Sequence, residues 1–143
     1  MRSAIAGFAL TMALTGMALA HAGTKDPTVK AWMANMKSIS AETKVLGQMA
    51  RRQTAFDAGA ANVALARIAE HARDIPALFE TPADDPTSEA RDLIWTDWER
   101  YTAEADRLTE LASAARIADP ADLRPVVADI GQTCKSCHEI YRD

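Results

Sequence analysis

The chain has 143 residues, 16 lysines and arginines against 20 aspartates and glutamates, a net charge of −4 and two cysteines. That length gives one domain with a single modest core and excludes a catalytic domain joined to a regulatory one. An acidic balance without a basic run excludes nucleic acid as a natural partner, and two cysteines are too few for the disulfide frame of a small secreted protein.

Residues 1–20 read as a secretory signal that is cleaved. A single charge at Arg2 precedes an apolar stretch from Ala4 to Leu14, and Ala18-Leu19-Ala20 forms a small-x-small cleavage site. Ala20-His21-Ala22 offers a second site, which would make the leader 1–22. The apolar stretch is shorter than the ~20 residues a bilayer requires, and no later segment could span one. Residues 21–143 are therefore expected as an exported, soluble chain in the periplasm.

Apolar residues in that part recur at steps of three and four, without a sustained period of two, which predicts an all-α fold. Asp26-Pro27 supplies a cap and a first-turn proline, and Trp32, Met36, Ile39, Thr43 and Leu46 follow on one stripe to about Arg52. Asp57 caps a second helix with Ala61, Leu65, Ile68, Ala72 and Ile75 inward, ended by Pro76. Residues 80–87 form the longest loop. Ser88 is expected to open the third helix, with Ile94, Trp98, Tyr101, Ala105, Leu108, Ala112 and Ala115 inward, to near Asp119-Pro120. The last helix is expected to start near Asp122, with Pro125 in its first turn and Val127, Ile130, Cys134, Cys137 and Tyr141 on its stripe.

Four helices with short connections predict an antiparallel up-down-up-down four-helix bundle. Alanine fills 24 of the positions after residue 20. So small an inward side chain implies either closely packed helices or a large buried prosthetic group.

Cys134-Lys135-Ser136-Cys137-His138 is a Cys-x-x-Cys-His pattern. On a helix the two thiols lie one turn apart on one face, a spacing that suits two thioethers to the vinyl groups of one haem c. His138 follows directly and can bind the iron as proximal ligand. A thiol-disulfide pair shares Cys-x-x-Cys but stands at a helix N-terminus after a strand, and none precedes this one. A zinc site needs further ligands, and the remaining histidines, His21 and His71, fall in the terminus and toward the outer side of the second helix.

A bundle carrying Gly131-Gln132-Thr133-Cys134-Lys135-Ser136-Cys137-His138-Glu139-Ile140-Tyr141-Arg142 at its end resembles the class II c-type cytochromes, the family of cytochrome c prime and its low-spin relative cytochrome c-556. The resemblance extends over the whole of 21–143. It implies a distal residue from the first helix, four positions after an Arg. Matching that pattern to Trp32-Met33-Ala34-Asn35-Met36 places Met36 there as second iron ligand, with Met33 in reserve and Met49 too far along the helix. Met36 also falls on the inward stripe by periodicity, where a methionine equally suits a core. Trp32 stands where the family has its Arg, so a haem propionate must be met differently. Arg142 matches the family's basic residue near the proximal side. Leu93-Ile94-Trp95 matches its Ile-Trp pair, implying that Trp95 packs near the haem.

His and Met ligation imply a monohaem electron carrier with no open iron site, rather than an enzyme, and transient redox partner proteins. The acidic balance favours a partner with a basic patch. The resemblance admits a homodimer through the first two helices. Two other readings stand beside it: a five-coordinate protein that binds nitric oxide or carbon monoxide, and a haem-free helical thiol or adaptor protein.

Overall fold

The computed structural model describes residues 23–143, so the predicted leader and its cleavage sites lie outside the described residues. Five helices follow in order: α1 (Pro27–Ala50), α2 (Ala58–Phe79), α3 (Leu93–Thr96), α4 (Trp98–Ala114) and α5 (Pro120–Tyr141). No strand occurs among the described residues, and one isolated antiparallel bridge joins Ala90 to Arg142. The long helices close a square in which α1 touches α2 and α5, and α4 touches α2 and α5, with no contact across either diagonal. This is the expected four-helix bundle, with α3 as a single extra turn.

Aspartates set the helix starts. Asp26 Oδ1 accepts from the amides of Thr28 and Val29 at 2.7 and 3.0 Å, and Asp57 Oδ1 accepts from Ala60 at 2.9 Å. At α5 the caps are reciprocal: Asp119 accepts from Ala121 at 3.0 Å, while Asp122 accepts from Ala118 and Asp119 at 2.8 and 3.1 Å. These bonds occupy amides that have no partner inside the helix. Because the cap is Asp119, α5 begins at Pro120 rather than near Asp122, and Pro125 lies beyond the first turn, exposed. At the other end, α1 stops at Ala50 as Arg52 turns into the left-handed region at φ 58°.

Pro76 does not end the second helix, which runs to Phe79. The carbonyls of its last turn are taken by two indoles, Trp32 Nε1 to Leu78 at 2.6 Å and Trp95 Nε1 to Phe79 at 2.8 Å. With Ile75 and Phe79 both buried, those bonds hold a turn that proline alone would disfavour.

Ser88 does not open the third helix either. Asp85, itself buried, accepts from the amides of Lys25, Asp26 and Thr87 at 2.7, 3.0 and 3.0 Å and from the Thr87 hydroxyl at 2.7 Å. Ser88 N donates to the Asp85 carbonyl at 2.8 Å, which folds the segment into a turn. The chain becomes helical only at Leu93 and breaks again at Asp97 before α4. Ala115 accordingly caps α4 and is half-buried, while Ile117 beyond it is buried and fixed through Asn62, whose side chain meets both its amide and carbonyl.

Close packing accounts for the alanines of α2. Ala61, Ala64, Ala69 and Ala72 are buried on α2, where small side chains let α1 and α4 approach closely. On the other side, a groove opens between α1, α4 and α5.

Candidate functional site

The groove encloses about 920 Å³, within the range of small-molecule and cofactor sites. From α5 and its cap it receives Cys134, Cys137, His138 and Arg142, and from α1 it receives Met33 and Met36. These residues meet because Cys134, Cys137 and His138 are three and four positions apart on one face of α5. The antiparallel α1 packs beside that face.

The last turn of α5 is held firmly. Arg91 N donates to the Tyr141 carbonyl at 3.0 Å, Arg91 Nη1 to the Ile140 carbonyl at 3.1 Å, and Asp143 N to the Glu89 carbonyl at 2.9 Å. The Tyr141 hydroxyl donates to Asp97 Oδ2 at 2.8 Å, where α3 gives way to α4. Carbonyls otherwise left over at a helix end are thus satisfied by the 89–91 segment, which fixes His138 without using its ring. Arg142 is ion-paired with Glu89, which also lines the groove.

Protonation states follow from burial. His138 is half-buried and its imidazole is held below the usual histidine range, first by desolvation and then by Arg142, against an opposing effect of Glu89. Neutral imidazole is the form that binds a metal. Burial raises the Cys134 thiol, and burial, Glu104 and Cys134 push the Cys137 thiol up to about 11. The two are unpaired thiols near the C-terminal end of a helix. A reactive redox pair has the opposite setting, a helix N-terminus that depresses the thiol.

Tyr101 is 3% exposed and lines the groove, yet its hydroxyl has no hydrogen-bond partner among the described residues. Leaving such a group buried and unpaired costs about 1–3 kcal/mol. A large apolar-walled groove, an orphaned hydroxyl at its wall, a neutral imidazole and thioether sulfurs fit a haem, whose macrocycle is apolar and whose iron takes nitrogen and thioether ligands.

One expected residue, Trp95, is placed differently. Trp95 does not line the groove; it stands behind Trp32, with ring centroids 5.8 Å apart. Trp32 lines the groove but is 3% exposed and stacked on Phe79, so it braces α1 against α2. Met33 and Met36 both reach the groove, but the Thr24 hydroxyl donates to Met33 Sδ at 3.3 Å, leaving Met36 the freer sulfur. Met49 is buried at the other end of α1, beside a second cavity. His71 is half-buried on α2, and its carbonyl accepts from Asn35 Nδ2 at 2.9 Å. Glu89, Glu104 and Tyr101 also line the groove. Glu89 and Glu104 gave no signal in the sequence, whereas Tyr101 lay on the predicted inward stripe.

The family described as Cytochrome C' matches residues 27–142. The chain is 33% identical over 126 residues to a cytochrome c-556 of Agrobacterium tumefaciens (strain apple 185), covering 86% of this chain and 97% of that one. Among solved structures, cytochrome c' from Rhodopseudomonas palustris superposes with a TM-score of 0.75 at 28% identity, covering 83% of this chain and 98% of that one. The oxidized cytochrome c556 of the same organism gives 0.74 at 26% identity, covering 83% and 98%.

Proposed function

The chain belongs to the cytochrome c' family and is a monohaem c-type cytochrome that carries electrons, and on that premise we propose how its own residues hold and use the haem. Cys134 and Cys137 would attach it through thioethers, and His138 and Met36 would hold the iron. The observation that carries this reading is the single groove that collects a Cys-x-x-Cys-His face from α5 and a methionine from α1.

The haem, once bound, supplies a one-electron couple. Everything else falls to the chain. The clamped end of α5 keeps His138 in place, and the rigid square of helices limits structural change as charge changes. Met36, on the groove wall opposite α5's cysteines and histidine, would occupy the position from which a small ligand could otherwise reach the iron. Arg142, neutralised in part by Glu89, stands at the proximal rim. No helix of the described residues is long and apolar enough to cross a membrane, in keeping with a periplasmic carrier that meets partner proteins transiently. Self-association through α1 and α2 would centre on Val63, which is 50% exposed.

The test is the visible spectrum of protein matured in a host that assembles c-type haem, oxidised and reduced, with and without carbon monoxide. The expected result is a low-spin spectrum, insensitive to carbon monoxide, whose methionine-iron charge-transfer band disappears in Met36→Ala. A high-spin spectrum that shifts with carbon monoxide would instead assign an open distal site and gas binding.

A further inference from the structure

Charge is not spread evenly over this acidic protein. Lys30, Lys37, Lys44 and Arg51 recur at steps of seven along α1 and its cap, and all four are exposed. Seven residues are close to two turns, so the row drifts by only about 20° per step and forms a ridge roughly 30 Å long. Three of the four, Lys37, Lys44 and Arg51, line the groove. Arg51 folds back along it, its Nη1 3.1 Å from where a Cβ on Gly47 would stand.

None of the four is in an ion pair among the described residues. The one carboxylate on α1, Glu42, is engaged by Arg67 at 3.1 Å. Of the groove's carboxylates, Glu89 is paired with Arg142, and Glu104, which accepts from the Ser136 hydroxyl at 3.2 Å, keeps its charge, one carboxylate against the three cations that line the groove. Beyond Arg51 the basic run continues into a second cavity of about 780 Å³, lined by Arg51, Arg52 and Arg124 with Asp119 as the one acid.

We propose that this ridge is the docking edge for an acidic surface on the redox partner. The inference rests on the haem reading, because it is the groove beside the ridge that would hold the haem. A net charge of −4 pointed to a basic partner. Over a Debye length of about 8 Å at physiological salt, however, a partner at the groove senses the nearby cations rather than the total. Unpaired cations along one edge attract an acidic face and orient it over the groove, which favours encounter in the productive pose.

The haem-loaded protein tests this with two small oxidants of opposite charge, ferricyanide and the tris(phenanthroline)cobalt(III) cation, mixed with the reduced protein in stopped flow. One electron leaves the protein and ferricyanide becomes ferrocyanide, with no proton moved. Raising salt from about 10 mM to about 150 mM shortens the Debye length from ~30 to ~8 Å. The ferricyanide rate is expected to slow by up to about tenfold, the lower end of charge steering in clefts, while the cobalt rate does not slow. The double variant Lys37→Glu/Lys44→Glu is expected to reverse the sign of the ferricyanide dependence. Arg73→Glu/Arg107→Glu, which changes net charge equally at exposed positions on α2 and α4, is expected to keep it. A parent rate with ferricyanide that rises with salt overturns the proposal, as do two double variants that behave alike. Binding to phosphatidylglycerol vesicles that is lost only in the ridge variant, with oxidation kinetics unchanged, overturns it in favour of a lipid surface. A parent without a c-type spectrum overturns the haem reading as well, and that is seen before any mixing.

Discussion

The indole of Trp32 lies on the ring of Phe79, with centroids 4.5 Å apart and planes 12° from parallel, while its Nε1 donates to the Leu78 carbonyl at 2.6 Å. One side chain therefore packs α1 on α2 and holds the turn beyond Pro76. Trp32→Ala is expected to lower stability by about 3–5 kcal/mol, the usual cost of truncating a buried aromatic. Trp32→Phe keeps a ring on Phe79 but leaves the carbonyl short of a donor, so its loss should be nearer 1–2 kcal/mol. Urea unfolding followed by far-ultraviolet circular dichroism checks both; equal losses would mean that the hydrogen bond contributes nothing.

Much of this was legible beforehand, and the misses share a cause. Steps of three and four located the long helices because burial of a stripe, not local propensity, decides them. Pro76 and Ser88 misled because the deciding partners are remote in sequence: indoles from positions 32 and 95 in one case, amides from residues 25 and 26 meeting Asp85 in the other. No periodicity reports such bonds. The Cys-x-x-Cys-His motif was readable because a helix fixes which residues share a face, whereas periodicity put Met36 inward and only the family resemblance made it a candidate ligand. That Trp95 backs Trp32, rather than facing the groove, goes with its bond to the Phe79 carbonyl, again a partner remote in sequence. The cations spaced seven apart on α1 drew no attention in an acidic sequence without a basic run, because only the groove beside them gives the row a meaning.

Asp85 ties the start of α1 to the loop before α3. Four donors, the amide of Asp26 foremost, followed by Thr87 and Lys25, hold its carboxyl far below the ordinary carboxylate range. A carboxyl depressed in the folded state contributes stability that is fully present above its unfolded pKa of about 3.9, declines as pH falls below that, and is gone only once pH passes its lower folded value. Asp85→Asn should therefore destabilise the protein at pH 7, and the difference from the parent should shrink steadily below about pH 4. Urea midpoints measured at pH 7 and pH 3 decide it; the same penalty at both would mean that asparagine fails for shape, not charge.

The orphaned hydroxyl of Tyr101 invites the simplest substitution in the groove. If it donates to the haem in the loaded protein, Tyr101→Phe should lower stability by about 1 kcal/mol, the net worth of a typical hydrogen bond, and shift the resonance Raman bands of the haem periphery. A gain in stability with unchanged bands would mean that the hydroxyl stays unpaired beside the haem, an unsatisfied buried group whose removal helps.

Met33 and Met36 compete for the distal place, and the hydrogen bond from Thr24 separates them. Thr24 Oγ1 lies 3.3 Å from Met33 Sδ and 2.7 Å from Thr87 Oγ1, so the Met33 sulfur is engaged at the same seam that Asp85 fastens. Met33→Leu removes a sulfur but keeps volume, and swaps of this kind cost less than about 1.5 kcal/mol. The reduced and oxidised spectra of Met33→Leu are expected to match those of the parent, whereas Met36→Leu should become high-spin and bind carbon monoxide. The reverse pattern would transfer ligation to Met33 and require the Thr24 contact to break when haem is bound, which Thr24→Val would then make easier.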